Sequence, residues 1–128
     1  MRKIKITVEK SKTGFSAYSP DFPGVFSVGT SWEDVNTQFK EAFAFHLEGM
    51  AEDGEEVPQN YCLEFCLDVG QFFTHYKVFN VSAIAEYLGL NPQLLHQYKD
   101  GHKMASEKTS KKIIAGIHDF AKELLSSA

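Results

Sequence analysis

The stretch VSAIAEYLGLNPQLLHQYKD, residues 81–100, decides the fold of the C-terminal part of the chain. A helix-turn-helix motif is about 20 residues long and needs a small residue where its helices touch and a glycine at the turn. Ala85 and Gly89 stand at those two places. The inward-facing places are apolar: Ile84, Leu88, Leu90, Leu95 and Tyr98. The pattern predicts two short helices, with Asn80 capping the first and Asn91, followed by Pro92, opening the second.

The second of these helices has the polar outer face that a recognition helix presents to the major groove of DNA. The candidate DNA-binding residues are Gln93, His96, Gln97, Lys99, His102 and Lys103. Glutamine suits bidentate contacts to adenine, and histidine can donate to base acceptors. We expect the two lysines and His102 to approach phosphates. The alternatives are a helix-turn-helix whose outer face binds protein and an arbitrary helical hairpin.

A long final helix is predicted after Ser106, which can cap it. Its wide apolar stripe consists of Ile113, Ile114, Ile117, Phe120, Ala121, Leu124 and Leu125. That stripe either covers the preceding helices or pairs with a second subunit. Because residues 77–128 hold seven lysines and no arginine, a monomer would bind DNA weakly, and we expect a homodimer or a higher homo-oligomer.

The N-terminal half alternates in the way that half-buried strands do. Ile4, Ile6 and Val8 share one face of a first strand at residues 3–9. We predict further strands at residues 15–19, 25–28 and 61–69, and a helix capped by Thr30 or Ser31 that ends near residues 53–54. The result is a small β-β-β-α-β unit and, for the whole chain, an α+β fold with an all-α C-terminal domain.

Composition indicates a globular protein. The chain has 128 residues, of which 43% are hydrophobic and 23% charged. No apolar run approaches the roughly 20 residues that a membrane-spanning helix needs. The first residues lack the apolar core of a secretory signal, so we expect a cytoplasmic protein. Cys62 and Cys66 lie four apart on a predicted strand, too far apart for a disulfide, and are expected to be packing residues.

Charge is divided unevenly along the chain. Residues 1–76 hold six Lys or Arg and twelve Asp or Glu, a net charge of −6. Residues 77–128 hold seven Lys and five Asp or Glu, a net charge of +2. An acidic and a basic half can serve different partners, although small domains often differ in net charge without such a role.

A second informative stretch is SPDFPGVFSVGTSWEDV, residues 19–35. It resembles the HicB antitoxin family, whose signature is a strand ending in Pro-Asp-X-Pro-Gly, another short strand, a Gly-Thr-like turn, and a helix that opens with acidic residues. The order of elements is similar to that of the longer members of this family, which carry a helix-turn-helix. One departure is Val25, where the family often has cysteine; we expect it to concern packing.

The resemblance implies a function. HicB-like N-terminal domains are similar to a truncated ribonuclease H fold without its catalysis, and they bind a small basic toxin, HicA, which cleaves mRNA with a histidine. The DNA-binding domain then represses the shared operon. We place candidate toxin contacts at Asp21, Phe22, Glu41, Phe45 and Glu48. The alternative is that the acidic helix face around Phe45 is ordinary solvated surface.

The expected domains are a toxin-binding domain at residues 1–70, a linker at 71–77, and a DNA-binding domain at 78–128. Residues 70–77 have no firm prediction, since their aromatic residues also suit a short helix. The expected partners are double-stranded operator DNA, a small basic toxin and a second copy of the chain, and no cofactor or metal is expected. The alternative is a free-standing transcriptional regulator whose N-terminal domain binds another ligand or only oligomerises.

An enzymatic function is a third hypothesis. A two-metal nuclease on a ribonuclease H fold needs several carboxylates that converge from strand centres. Asp21 falls in a predicted loop, Asp34 at a helix start, Asp68 near a strand end, and Glu9 at a strand edge. No Ser/His/Asp or Cys/His nucleophile pattern is present either. The sequence therefore favours a protein that is not an enzyme.

Overall fold

The computed structural model describes residues 1–127 and has a mixed α+β architecture. Within these residues the elements are β1 (Arg2–Lys10), β2 (Phe15–Tyr18), β3 (Phe26–Gly29), α1 (Trp32–Glu52), β4 (Tyr61–Leu67), α2 (Val69–His75), α3 (Val81–Leu88), α4 (Pro92–Lys99) and α5 (Glu107–Ser127). The chain divides into two compact units, residues 1–66 and the residues from Leu67 onward. No helix among residues 1–127 combines the length and apolar character needed to cross a membrane.

The first unit is a four-stranded sheet with one helix against it. The strand order is β3-β2-β1-β4, and both β1-β2 and β2-β3 are antiparallel, with Thr7 opposite Tyr18 and Tyr18 opposite Phe26. Helix α1 packs on β2 and β3. The fully buried side chains of the unit include Ile4, Ile6, Val8, Val35, Phe39 and Phe43. Alternation in β1 and helical spacing in α1 therefore bring one face of each element into a shared core.

The start of α1 is fixed by reciprocal capping. The Ser31 hydroxyl accepts a hydrogen bond from the Asp34 amide at 3.0 Å, which confirms Ser31 rather than Thr30 as the N-cap. The Asp34 carboxylate in turn accepts from the Thr30 amide at 2.9 Å. Two backbone donors at the helix start are thus satisfied, and the acidic side chain also suits the positive end of the helix dipole.

Gly29, at the end of β3, permits the close approach of the strand to this helix. A Cβ atom at position 29 would overlap the backbone nitrogen of Val35 and lie 2.6 Å from its Cα. A Cβ at Gly14 would in turn overlap the carbonyl oxygen of Gly29. The Gly-Thr turn is therefore a site of backbone-to-backbone packing that no side chain can enter.

Predicted and observed bounds differ by one residue in β1, β2 and β3, and by more at the end of β4 and in the predicted linker. The fourth strand ends at Leu67 instead of Val69, because the Asp68 carboxylate accepts from the Gln71 amide at 3.0 Å and caps a new helix. The predicted linker at residues 71–77 lies largely within that helix, α2, which belongs to the second unit. The third strand begins one residue later than predicted, because the Val25 amide donates a hydrogen bond to the Phe22 carbonyl and so lies in a turn; the Val25 side chain is buried.

The second unit consists of four helices. Asn80 caps α3 through the Ala83 amide, Gly89 ends it with a φ of +70°, and Asn91 caps α4 with Pro92 in its first turn. Ala85 and Leu95 are fully buried. These caps and turn residues confirm the predicted positions of the two helices.

Two close contacts bind α2 and α5 into the second unit. A Cβ at Gly70 would lie 2.5 Å from the carbonyl oxygen of Lys99, so α2 approaches the end of α4 closely. Ser110 is fully buried, and its hydroxyl accepts a hydrogen bond from the Leu67 amide at 2.8 Å. Ser106 caps α5 as expected, since its hydroxyl accepts from the Thr109 amide at 3.2 Å. Cys62 and Cys66 are not joined in a disulfide, and Cys66 is buried.

Candidate nucleic-acid and protein interfaces

Helix α4 exposes two glutamines on one side. Gln93 and Gln97 lie one turn apart, and both are exposed, whereas Leu95 between them is buried. The Asn91 side chain accepts from the Gln93 amide at 2.8 Å and fixes the first turn of the helix. Residues four apart on a helix are neighbours, so the two amide side chains form one polar surface able to donate and accept hydrogen bonds.

His96 has a different environment from the glutamines. Its side chain is half-buried, and its Nε2 lies 3.1 Å from the Ser82 hydroxyl of α3. If Nε2 accepts from that hydroxyl, Nδ1 carries the proton and remains able to donate. The sequence pattern did not reveal this pairing, which links α3 to α4 as well as leaving one ring nitrogen for other contacts.

The residues predicted to approach phosphates follow directly after the exposed glutamines. Lys99, His102 and Lys103 are all exposed, and Gly101 turns the chain between them with a φ of +80°. Lys112 of α5 donates to the Gly89 carbonyl at 3.3 Å and so contacts the α3–α4 turn from another helix. The three predicted phosphate contacts thus follow one another at the end of α4, and Lys112 adds a lysine near the α3–α4 turn.

An apolar groove of about 630 Å³ lies between α3 and the second half of α5. Phe79, Tyr87 and Phe120 line it, and the Tyr87 and Phe120 rings are 5.3 Å apart. The predicted stripe of α5 divides here: Ile113 and Ile114 are buried, whereas Leu124 and Leu125 are 52% and 82% exposed. The first half of the stripe therefore covers helices of its own unit, and the second half presents apolar surface.

Tyr87 at the rim of this groove has a perturbed phenol. Its hydroxyl donates to Glu123 Oε2 at 2.9 Å. The hydrogen bond to this carboxylate, with smaller contributions from desolvation and from the negative charges of Glu123 and Asp119, raises the pKa of Tyr87 above its ordinary value. The neutral phenol is the form that donates, so the bond persists throughout the physiological pH range.

Four of the five predicted toxin contacts are accessible on the first unit. Asp21, Glu41, Phe45 and Glu48 have exposed or largely exposed side chains, and Phe45 is 77% exposed. Phe22 does not fit the expectation of a surface contact. Its ring is 8% exposed and packs edge-on against Phe43, with centroids 5.0 Å apart, so it belongs to the core.

The first unit also has a groove that the sequence analysis did not identify. It has a volume of about 420 Å³ and lies beside β3 and α1, lined by Phe26, Phe45, His46 and Met50 among others. Phe26 is 61% exposed. The sequence signal for this surface was the alternation of side chains along β3. Phe26 and Val28 lie on its exposed side, whereas Ser27 between them is buried and donates to the Val35 carbonyl.

The carboxylates considered for nuclease chemistry lie in unrelated settings. Asp21 is exposed in the loop before β3, the Asp34 carboxylate accepts from the Thr30 amide at the start of α1, and the Asp68 carboxylate caps α2. Within residues 1–127, no group of three or more His, Cys, Asp or Glu side chains is placed to hold a metal ion.

Comparison with known proteins identifies one family. Residues 4–84, more than half of the chain, match the family model described as HicB_like antitoxin of bacterial toxin-antitoxin system. A protein of Haemophilus phage HP1 (strain HP1c1), described as an uncharacterized 14.9 kDa protein in the rep-hol intergenic region, is 42% identical over 59 residues. That match covers 46% of this chain and only 44% of the phage protein. No solved structure matches the chain significantly.

Proposed function

The chain belongs to the HicB-like antitoxin family of bacterial toxin-antitoxin systems, and on this premise we propose that it neutralises a small basic HicA-like mRNA interferase and represses its own operon. The first unit, which we take to be a truncated ribonuclease H-like fold, binds the toxin and blocks its active site. The second unit binds operator DNA. The chain itself performs no catalysis. The observation that carries this proposal is the family match, which spans the whole first unit from Ile4 onward.

Toxin binding is supported by charge. Residues 1–66 hold six Lys or Arg and eleven Asp or Glu, a net charge of −5, and a basic partner is attracted to such a surface. Co-expression of the full chain with the product of the adjacent gene, followed by affinity purification of the tagged chain, tests this. We expect a stable complex. A chain that purifies alone beside an expressed basic neighbour would favour the free-standing regulator instead.

DNA binding is supported by α3 and α4, which we propose form a helix-turn-helix. The caps at Asn80 and Asn91 fix both helix starts, and Gln93 and Gln97 are exposed on the second helix. Fluorescence anisotropy with a labelled duplex from the promoter of the operon tests this proposal. We expect saturable binding at least about a thousandfold tighter than to random duplex. Equal affinity for both would contradict operator recognition.

We further propose that the repressor is a homodimer formed through the second unit. A helix-turn-helix protein reads two half-sites one helical turn apart only when a two-fold partner supplies the second recognition helix. The exposed apolar half of α5 is suited to such a contact, because its Leu124 and Leu125 gain burial there. Light scattering on the full chain should give twice the monomer mass, and L124E should give the monomer; a monomeric wild-type chain would contradict this part.

A further inference from the structure

Two phenylalanines with exposed rings and the loop before β3 line the groove of the first unit. Phe26 and Phe45 both line the groove and are 61% and 77% exposed, and large apolar side chains gathered on one exposed surface indicate an interaction site. Because Gly24 has no Cβ, the His46 ring can approach the loop; a Cβ there would lie 3.1 Å from its Cε1. The Phe22 ring packs near the same imidazole, with centroids 6.3 Å apart.

Carboxylates surround this apolar surface. Glu41 and Glu48 lie four residues before and three after Phe45, so they are its neighbours on the surface of α1, and Glu52 lies one turn beyond Glu48 on the same side. Asp53 and Glu55 line the groove itself. No lysine or arginine occurs between Lys40 and Lys77. Residues 41–76 therefore supply no lysine or arginine that could neutralise the anionic rim.

This arrangement brings no benefit to the free chain. Like charges at Glu48 and Glu52, four apart on a helix, destabilise it by a few tenths of a kcal/mol. The exposed phenyl rings forgo the free energy of burial. A bound partner that carries positive charge and an apolar side chain would remove both disadvantages at once.

We propose that this groove is the docking site for the toxin, an inference that rests on the proposed antitoxin function. A bulky apolar side chain of the toxin inserts between Phe26 and Phe45, and flanking Lys or Arg side chains pair with the carboxylates of the rim. A second copy of the chain is a poor occupant, because it would bring the same net charge of −5 on residues 1–66 against the rim, and opposed like charges weaken association.

The experiment is isothermal titration calorimetry of the full chain with the small basic protein encoded by the adjacent gene, purified with its catalytic histidine replaced by alanine. We expect Phe45→Ala and Phe26→Ala each to weaken binding about 30-fold, the effect of losing a central aromatic anchor. Val28→Ala is the matched control, since Val28 lies on the same strand with the same 61% exposure but does not line the groove. It should bind as the wild type does.

Charge is tested separately with the double variant Glu48→Gln/Glu52→Gln. We expect about tenfold weaker binding at low ionic strength and a smaller loss of affinity on addition of salt than in the wild type. The control is Asp119→Asn, which removes one exposed carboxylate from α5 of the other unit and should leave toxin affinity unchanged. Unaltered Trp32 fluorescence in each variant verifies that the first unit is folded.

The outcomes separate the two claims. If the wild-type chain binds the toxin and the groove variants bind as tightly as Val28→Ala, the docking site is wrong while the antitoxin function stands. If Val28→Ala weakens binding as much as Phe26→Ala does, the outer face of the sheet is the interface and the groove is not. If the wild-type chain fails to bind at all, both the docking site and the proposed function are overturned.

Discussion

Replacing Gly29 by alanine tests the close packing of α1 against β3. The new Cβ would overlap the Val35 amide nitrogen and lie 2.6 Å from the Val35 Cα and 2.9 Å from the Asp34 carbonyl carbon. All three atoms belong to the backbone of a helix, so no rotamer change can relieve the overlap. The helix has to move away from the strand, which loosens the core around Val35 and Phe39.

The magnitude follows from this geometry. Overpacking typically costs 1–3 kcal/mol, and an overlap with backbone atoms belongs at the upper end, about 3 kcal/mol. Gly49→Ala is the matched control in the same unit, because a Cβ there meets nothing within 4 Å. Gly49 lies on α1, where alanine is favoured over glycine by about 1 kcal/mol, so this variant should be stabilised.

Urea unfolding followed by tryptophan fluorescence measures both variants. Trp32 is the single tryptophan of the chain and is 6% exposed, so its emission reports on the first unit. With a slope of about 1 kcal/mol per molar urea, the midpoint should fall by about 3 M for Gly29→Ala and rise by about 1 M for Gly49→Ala. Equal midpoints for Gly29→Ala and wild type would refute the backbone contact on which the account of this turn depends.

Three further predictions concern DNA binding, the Tyr87 phenol and nuclease activity. Gln97→Ala should lower the affinity for operator DNA by about 1–3 kcal/mol and leave the affinity for random DNA unchanged. Lys103→Ala should weaken binding to both and reduce the slope of log affinity against log salt concentration by about one. Anisotropy titrations at several salt concentrations distinguish the two variants. The pKa of Tyr87 lies above its ordinary value because of Glu123. An ultraviolet titration of Tyr87→Phe should therefore lack one phenol that ionises above pH 10 in the wild type. The hydrogen bond from Tyr87 to Glu123 stabilises the fold fully below that pH and is lost as the pH rises above the raised pKa. The purified chain should cleave neither RNA nor DNA with Mg²⁺ or Mn²⁺, and metal-dependent cleavage abolished by Asp21→Ala would instead establish a nuclease.

Local signals predicted most of the secondary structure. Ser31, Asn80, Asn91 and Ser106 cap the helices for which they were proposed, since a cap depends on a side chain and the amides two or three residues later. The end of β4 was predicted wrongly because two local signals compete there. Alternation continues through Val69, but Asp68 is also an N-cap, and the start of α2 prevails.

Tertiary packing decided what the sequence pattern did not predict. The Pro-Asp-Phe-Pro-Gly motif drew attention to Phe22 as a surface residue, yet its ring packs on Phe43 of α1. The pairing of His96 with Ser82 and the groove beside Phe26 and Phe45 each join residues from different elements. The periodicity and spacing of residues along one element do not determine how far apart two elements lie in the fold. Only the three-dimensional structure could therefore reveal these sites.

Growth of a bacterial culture tests the antitoxin function most directly. The product of the adjacent gene is placed under one inducible promoter and the full chain under another, and growth is followed after each induction. We predict arrest when the neighbour is induced alone and resumed growth when the chain is induced afterwards, with Phe45→Ala restoring growth less well than Val28→Ala. Continued arrest in the presence of abundant wild-type chain would contradict the function proposed for this protein.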